Sequence, residues 1–256
     1  MYTDLSRILH SASKITVLTG AGMSTASGIP DFRSQNGIYT KQLINEISDS
    51  LIPSHLPVER ILSESFFHKH PELFWKCYKQ IFNMANIDLY QPNFGHLYLK
   101  QLEDLGKRIT IITQNIDGLH QKAGSTDVIE VHGNLHQAFC PICKQAYALL
   151  YMIKESVPRC SCSHHAILKP NVVLFEGAVK HLEEAYRATT ETEVFMVLGS
   201  SLSVYPIRSL PTYIENAKNI IKIIINREPT GLDYLFDIII HQDIIETFEA
   251  LNNFKQ

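Results

Sequence analysis

The segment LTGAGMSTASGIPDFRSQNGIY (residues 18–39) decides the fold, because it places a glycine-rich loop at the end of a short apolar run. The run is KITVL (14–18), and Gly20 and Gly22 follow it one residue apart. A strand, this loop and a helix beginning near Ser24 would direct backbone N–H groups and a helix N-terminus at a phosphate. The third glycine of the dinucleotide fingerprint is missing, so an ordinary turn remains the alternative.

Runs rich in β-branched residues continue the pattern along the chain and predict further buried strands: RITIIT (108–113), VIEV (128–131), VFMVLG (194–199), IIKIIIN (220–226) and FDIII (236–240). Their continuous apolar character favours a parallel sheet that is covered on both faces. Helical patterns separate them, at 95–106, 181–191, 207–217 and the segment IIETFEALNNF, which Asp243 would cap. Strands that alternate with helices predict an α/β fold with a Rossmann-like, doubly wound sheet.

Two stretches interrupt this alternation. Residues 40–90 are mostly helical in pattern and rich in aromatic residues, and residues 134–168 hold four of the five cysteines. We interpret them as a helical module and a zinc-binding module that together form a smaller domain beside the sheet. The Rossmann-like domain would then comprise residues 1–39, 91–133 and 169–256.

Composition and charge exclude several classes of protein. The net charge is −3 and the lysines and arginines are scattered, so there is no basic surface for nucleic acid. No apolar run approaches the ~20 residues that span a bilayer. The N-terminal segment lacks the basic start and apolar core of a signal peptide. We therefore expect a cytoplasmic protein with no nucleic-acid or membrane partner. A monomer is also expected.

Four cysteines form two close pairs with the spacing of a zinc ribbon: Cys140, Cys143, Cys160 and Cys162. A closed tetrahedron of thiolates leaves no open position, so the zinc would be structural. The second pair is CxC rather than CxxC, and His164 or His165 remains an alternative ligand. A disulfide framework is not expected in a cytosolic chain of this size.

Polar side chains follow two of the predicted strands. Gln114, Asn115 and Asp117 come after RITIIT, and His132 comes after VIEV. Open α/β sheets bind their ligands at the carboxyl ends of the strands, although asparagine and aspartate are also common turn residues. A histidine at such a strand end is a candidate general base.

Two later strand ends carry small or amide side chains. Gly199, Ser200 and Ser201 follow one strand and could hold a phosphate or a ribose. Asn226 ends the next strand and could hydrogen-bond a ribose hydroxyl. Ordinary βα turns remain the alternative for each of them.

Taken in order, these segments resemble the sirtuin family. The motifs are GAGMSTASGIPDFR, TQNIDGLH, VHGN, the four-cysteine ribbon, KPNVVLF, GSSLSVYP and IN-x-E, and the match runs from about residue 14 to 245. The resemblance implies an NAD-dependent protein lysine deacetylase with structural zinc, whose partners are acetyl-lysine-bearing proteins. It implies that NAD is a co-substrate: the acetyl group passes to ADP-ribose and nicotinamide is released.

The resemblance also implies roles for individual residues. It makes His132 the general base, with Asn115 as a second catalytic residue. It makes Val173 and Phe175 the lining of the acyl-lysine tunnel, with the Val173 carbonyl accepting the substrate amide N–H. It implies that NAD is bound by Gly20, Ala21, Gly22, Ser24, Asp31, Phe32, Arg33, Gln114, Asn115, Ile116, Asp117, Gly199, Ser200, Ser201, Asn226, Glu228 and Ile244.

Besides the CxC pair, the sequence departs from the family pattern at two places, and the acyl preference is argued from a third segment. The usual Phe-Gly-Glu reads Phe175-Glu176-Gly177, which puts the peptide preference in doubt, and the usual Gly-Thr-Ser has a serine at its second position. Members that prefer succinyl groups carry Tyr-x-x-Arg, whereas Tyr78 is followed three residues later by Ile81. We therefore expect a deacetylase. The alternatives are a mono-ADP-ribosyltransferase and a deacylase that prefers longer neutral acyl groups.

Overall fold

The computed structural model describes residues 2–31, 37 and 56–253. The strands are β1 (Lys14–Thr19), β2 (Arg108–Thr113), β3 (Val128–Glu130), β4 (Gly133–Phe139), β5 (Ala146–Ala148), β6 (Lys169–Val172), β7 (Val194–Leu198), β8 (Ile221–Ile225) and β9 (Ile238–Ile240). The helices are α1 (Tyr2–Ser11), α2 (Val58–Ile61), α3 (Glu64–Lys69), α4 (Pro71–Ile81), α5 (Phe94–Asp104), α6 (Leu119–Lys122), α7 (Leu149–Lys154), α8 (Leu182–Thr190), α9 (Leu210–Tyr213) and α10 (Ile244–Asn253).

Six strands form one parallel sheet in the order β3-β2-β1-β7-β8-β9. Each is one of the predicted strands, and the ends agree within two residues. The strand order reverses between β1 and β7, and open α/β sheets bind their ligands at the carboxyl ends of the strands at such a switch point. The predicted α/β class and doubly wound parallel sheet are confirmed.

Helices cover both faces of this sheet, which is why its four central strands are buried along nearly their whole length. On one face α1, α5 and α10 pack together, and the rings of Tyr98 and Phe248 stack with centroids 4.4 Å apart. On the other face the core includes Ala185 of α8 and Leu210 of α9. Asp243 caps α10 as predicted, since its Oδ1 accepts a hydrogen bond from the Ile245 N–H at 2.7 Å.

A smaller antiparallel sheet, in the order β5-β4-β6, carries the cysteine segment. One apolar cluster joins this sheet to α2, α3 and α4. Trp75 on α4 is fully buried there, and its Nε1–H donates to the Leu168 carbonyl at 2.8 Å. The helical and cysteine-bearing segments therefore share a single core. The first part of the predicted helical module, residues 40–55, lies outside the described residues.

Two predicted helices differ in the structure. No α-helix begins near Ser24; two 3₁₀ turns, Ala21–Met23 and Thr25–Ser27, follow the glycines instead. The second turn ends at Gly28, whose φ of 86° is left-handed, and the small side chains of the segment bring little apolar area to hold a longer helix. The predicted helix at 207–217 is a 3₁₀ turn followed by the four residues of α9.

None of the helices in the described part of the chain is long and apolar enough to cross a bilayer.

Candidate active site

The loops after β1 and β7 touch each other at three glycines. The Gly22 N–H donates to the Gly199 carbonyl at 2.9 Å. A Cβ built on Gly199, whose φ is 60°, would lie 2.5 Å from the Met23 nitrogen, and one on Gly22 would lie 2.8 Å from the Gly199 Cα. A Cβ on Gly20 would lie 2.7 Å from the Gly199 oxygen. Glycine is required at these positions because the two loops approach each other closely.

A buried hydrogen-bond network joins the loop after β1 to the loop after β2. Asn115 donates from Nδ2 to the Gly20 carbonyl at 3.0 Å and to Ser24 Oγ at 3.1 Å. Ser24 in turn donates to Asp117 Oδ2 at 2.7 Å, and the Leu119 N–H donates to Asp117 Oδ1 at 2.9 Å. The predicted residues Ser24, Asn115 and Asp117 thus form one cluster with fixed side chains.

The Asp117 carboxyl group lies in a weakly solvated environment. The residue is 8% exposed, and burial raises the pKa of its carboxyl, while the hydrogen bonds from Leu119 and Ser24 pull the pKa partly back. A carboxyl group so held can hydrogen-bond a ligand amide with little reorganisation, because its own orientation is fixed.

A cavity of about 360 Å³ opens beside this cluster. Asn115, Ile116 and Asp117 line it together with Ala21 and Ser24. Its other walls are mainly apolar and are formed by residues that were not among the predicted NAD-binding or substrate-binding residues: Ile29, Pro30, Gln80, Ile81, Phe82, Asn83, Ile87, Tyr90 and Leu135. Its volume and its mixture of apolar walls with a few convergent polar groups are typical of small-molecule sites.

His132 follows β3 at the same edge of the sheet. Its Nδ1 lies 3.0 Å from the Gln114 carbonyl oxygen, and since a carbonyl only accepts, Nδ1 carries the proton and Nε2 keeps a lone pair. Burial lowers the pKa of the imidazole, although the hydrogen bond to Gln114 raises it in part. The neutral ring therefore predominates at pH 7, with Nε2 able to accept a proton.

The remaining predicted NAD-binding residues are arranged less simply. Ser200 donates to Gln114 Oε1 at 2.9 Å, which joins the ends of β7 and β2. Asn226 Nδ2 donates to the Glu228 carbonyl at 2.6 Å. Ser201 is exposed beside Ser203, Ile244 is buried at the start of α10, and Asp31 is partly buried. Phe32 and Arg33 lie outside the described residues.

The segment after β6 is tied to the site on one side and to the helical module on the other. The Val173 N–H donates to the His132 carbonyl at 2.8 Å. Phe175 donates its N–H to the Leu62 carbonyl at 2.9 Å and accepts from the Glu64 N–H at 3.0 Å. These long-range contacts have no local sequence signal. Phe175, a residue that is 40% exposed, therefore already uses both its main-chain N–H and its carbonyl in hydrogen bonds within the chain.

Glu176, directly after Phe175, is held in an unusual main-chain conformation by contacts of its carboxylate. It adopts a left-handed φ of 73°, and its carboxylate accepts from the N–H and the hydroxyl of Ser65, both at 3.0 Å. Arg60 adds an ion pair at 3.3 Å. These contacts hold a conformation that is unusual for a residue other than glycine.

The four cysteines of the ribbon converge on one point. Their Sγ atoms all lie within 4.8 Å of one another, with Cys143 and Cys160 at 3.5 Å and Cys140 and Cys162 at 4.0 Å. Zinc–sulfur bonds of about 2.3 Å in a tetrahedron require sulfur separations of about 3.8 Å, so the quartet fits structural zinc. Among the described residues, neither His164 nor His165 belongs to this group.

Comparisons with known proteins agree on one relationship. The profile of the Sir2 family matches residues 20–206. An NAD-dependent protein deacetylase of Bacillus cereus (strain ATCC 14579) is 44% identical over 254 residues, which are 99% of this chain and 98% of that protein. The NAD-dependent protein deacetylase of Bacillus subtilis (strain 168) is 42% identical over 250 residues, with 95% and 96% covered.

Two solved structures extend the comparison to three dimensions. A complex described as Sir2 with p53 peptide and NAD+ matches with a TM-score of 0.80 and 32% identity, over 99% of this chain and 98% of that one. A Sir2 variant with deacetylated p53 peptide and 3′-O-acetyl ADP-ribose matches with a TM-score of 0.84 and 31% identity, over the same shares of the two chains.

Proposed function

The chain belongs to the Sir2 family and is an NAD-dependent protein deacetylase, and we propose that His132 is the general base with which it deacetylates lysine side chains of proteins. The observation that carries this role is the neutral imidazole, which is anchored through Nδ1 and has a free lone pair on Nε2 at the carboxyl edge of the sheet. The p53 peptides in the related complexes support acetylated peptides as the substrate class.

The residues around the cavity fit the NAD co-substrate. The glycine-held loops, the buried Asp117 carboxyl and the mixed polar and apolar cavity walls meet at the switch point of the sheet. NAD, when bound, supplies a ribose carbon from which nicotinamide can depart and the ADP-ribose that receives the acetyl group. Asn115 and Asp117 would hold the carboxamide, because both side chains are already fixed by Ser24. Gln114, oriented by Ser200, would hold the adjoining ribose.

His132 would remove a proton from a ribose hydroxyl. Its Nε2 accepts the proton, and the positive charge that then develops on the ring is stabilised by the hydrogen bond from Nδ1–H to the Gln114 carbonyl. Because the carbonyl fixes both the tautomer and the ring plane, the base needs no rearrangement before the transfer.

Val173 would position the acetyl-lysine. Its N–H donates a hydrogen bond to the His132 carbonyl. We infer that the Val173 carbonyl accepts the substrate amide N–H. The base and the substrate strand are thereby joined by a single 2.8 Å hydrogen bond. A shift of either segment would move the acetyl group relative to the imidazole.

The cysteine quartet would hold zinc as a structural cross-link. Cys140 and Cys143 flank one turn and Cys160 and Cys162 the other, so the metal fastens the two ends of the ribbon. The same proposal includes a small domain formed by residues 40–90 and 134–168, with the substrate between it and the sheet. The monomeric state and the cytoplasmic location stay predictions.

The test of this function is the product mixture from NAD and an acetyl-lysine peptide. Mass spectrometry should detect nicotinamide, free lysine peptide and O-acetyl-ADP-ribose in equal amounts, because one NAD is consumed for each acetyl group that is transferred. NAD labelled in the adenosine half serves as a tracer. Label that stays on the peptide while the acetyl group is retained would instead establish mono-ADP-ribosyl transfer.

Acetyl peptides should be deacylated with a kcat/KM at least about a hundredfold above that of matched succinyl peptides. Ile81 is buried and lines the cavity, and the described lining residues include no lysine or arginine. Tyr78 packs its ring between Phe74 and Phe82. A succinyl carboxylate would leave water without a cation, which costs several kcal/mol.

A butyryl peptide is the matched control, since its acyl chain has the length of succinyl without the charge. Turnover of butyryl but not succinyl peptide would assign the discrimination to charge, and Ile81→Arg should then raise desuccinylation. Faster desuccinylation than deacetylation by the unaltered protein would contradict the prediction.

A further inference from the structure

Two buried histidines that the proposed mechanism does not use lie behind the active-site loops. His96 on α5 is 0% exposed and His120 on α6 is 2% exposed, and their ring centroids are 4.7 Å apart. Within the described residues, His96 Nε2 and His120 Nδ1 have no hydrogen-bond partner. Apolar side chains would fill this space without leaving ring nitrogens unpaired, so packing alone does not explain the histidines.

Both rings are neutral under ordinary conditions. Burial lowers the pKa of His96 to about 4, and burial together with the neighbouring His96 lowers the pKa of His120 well below its usual value. A neutral imidazole carries one proton, so each ring has one donor nitrogen and one acceptor nitrogen. The hydrogen-bond partners of each ring decide which of its two nitrogens carries the proton.

His120 begins a chain of hydrogen bonds that ends at the active site. Its Nε2 lies 3.1 Å from Thr19 Oγ1, at the end of β1. The Thr19 hydroxyl donates to Thr113 Oγ1 at 2.9 Å, at the end of β2, and Thr113 Oγ1 also accepts the Asn115 N–H at 3.0 Å. Because Thr19 gives its only proton to Thr113, His120 must donate from Nε2.

Asn115 is the residue whose position this chain determines. Its main-chain N–H is held by Thr113, and its side chain bridges Gly20 and Ser24. If His120 no longer donated to Thr19, the Thr19 hydroxyl would be free to turn away from Thr113. Thr113 would then no longer be held in the orientation that accepts the Asn115 N–H.

His96 supports His120 from the opposite side. It lies in the first turn of α5, where its Nδ1 is in contact with Asn93, at 3.0 Å from Oδ1 and 3.3 Å from the main-chain nitrogen. This contact anchors the His96 ring in the helix cap, and the ring packs against that of His120. The rotation of the His120 ring that would break its contact with Thr19 is thereby restricted.

We propose that His120 is a positioning residue, which fixes Asn115 through the hydroxyl groups of Thr19 and Thr113, with His96 as its packing support. The proposal rests on the role of Asn115 in the proposed function. A purely structural residue would affect the stability of the whole chain. The proposed role of His120 instead affects the position of one loop, the loop after β2 that carries Asn115.

The test is a double-mutant cycle with His120→Leu, Thr19→Val and the combined variant. Each single substitution should lower kcat/KM for NAD about tenfold and leave KM for the peptide unchanged. The combined variant should lose no more than the worse single variant, because both changes break the same chain. His120→Gln, whose amide can donate from nearly the position of Nε2, should recover most of the activity.

A second readout needs no substrate. Hydrogen exchange of the Asn115 amide should become about tenfold faster in His120→Leu and in Thr19→Val, since its acceptor is loosened. Thr189→Val is the matched control: Thr189 is a buried threonine on α8 that donates to the Ala185 carbonyl, and its loss should change neither readout. If His120→Leu does not fold, Thr113→Val replaces it in the cycle.

Additive losses, an unchanged Asn115 exchange rate or a failure of His120→Gln to recover activity would each overturn the proposal. An altered melting temperature with an unaltered KM for NAD would likewise assign His120 a structural role. The exchange result stands apart from the function: if the unaltered protein did not deacetylate peptides, the proposed function would fail while the link from His120 to Asn115 could still be measured.

Discussion

His132→Ala is expected to lower kcat/KM for deacetylation by ~10²–10⁴, the range that a general base contributes. The change removes Nε2, the nitrogen to which we assign proton removal. It keeps the His132 carbonyl, which accepts the hydrogen bond from the Val173 N–H. Binding of NAD and of the peptide, measured by calorimetry, should therefore persist. Steady-state rates with the acetyl-lysine peptide provide the kinetic measurement.

The pH dependence of the unaltered protein gives an independent check on the same residue. Burial lowers the pKa of His132, so the active neutral form predominates above the usual histidine value near 6.5. kcat/KM should fall only as the pH drops through that lowered pKa, because the protonated ring cannot accept another proton. An acid limb lying above pH 6.5 would contradict the assignment.

His68→Ala is the control for His132→Ala. His68 lies on α3 with a side chain that is 72% exposed, and it should be replaceable without loss of turnover. Wild-type turnover in His132→Ala would remove this histidine from the mechanism. Loss of NAD binding together with loss of turnover would point instead to a collapsed site.

Cys143→Ser is expected to abolish zinc binding and to unfold the zinc-binding module, residues 134–168. Structural zinc contributes about 10–16 kcal/mol of binding free energy in zinc-finger peptides, which matches or exceeds the 5–15 kcal/mol that stabilises a typical protein. Even a partial loss should therefore lower the melting temperature strongly. Metal content by mass spectrometry and thermal unfolding measure the two effects.

Deacetylation should fall with the zinc, although the cysteines lie beyond the far end of β4 from His132. Cys140 directly follows β4, and β4 begins at Gly133, next to His132. Chelation of zinc from the unaltered protein should have the same effect as the substitution. The controls are His164→Ala and His165→Asn, the latter because His165 has a φ of 45° that asparagine tolerates.

Both control variants should keep their zinc, since the four thiols already form a complete donor set. Unchanged metal content and melting in Cys143→Ser would exclude Cys143 as a ligand. Loss of zinc in either histidine variant would instead make that histidine part of the site.

Strands and cysteines were predictable because their signals are local. A run such as RITIIT is β-branched throughout after Arg108, which favours a buried strand, and β2 has the predicted bounds. Two residues separate Cys140 from Cys143, a spacing that itself brings two thiols to one point. No such signal marks the segment after Gly22, where the close contact with Gly199 and the left-handed Gly28 replace the expected helix by two 3₁₀ turns.

The candidate site was predicted residue by residue only through the resemblance to sirtuins. The sequence suggested polar groups at strand ends, and Asn115 and Asp117 do meet in one network. It did not indicate that Ser200 would hold Gln114, or that Phe175 would pair with Leu62. Nor does GLHQ distinguish a buried His120 from a surface residue, because burial here depends on α5, which is distant in sequence.

The contact among Gly20, Gly22 and Gly199 has a consequence for how this pocket can diversify. Main-chain atoms face each other there with no room for even a methyl group, so the loop that brings Ala21 and Ser24 to the cavity is closed to substitution at its glycines. The segment Gln80–Asn83, which also lines the cavity, lies outside the sheet, and its side chains can change size without moving the sheet. Variants with new ligand preferences are therefore best sought in the Gln80–Asn83 segment, while the glycine loop stays constant.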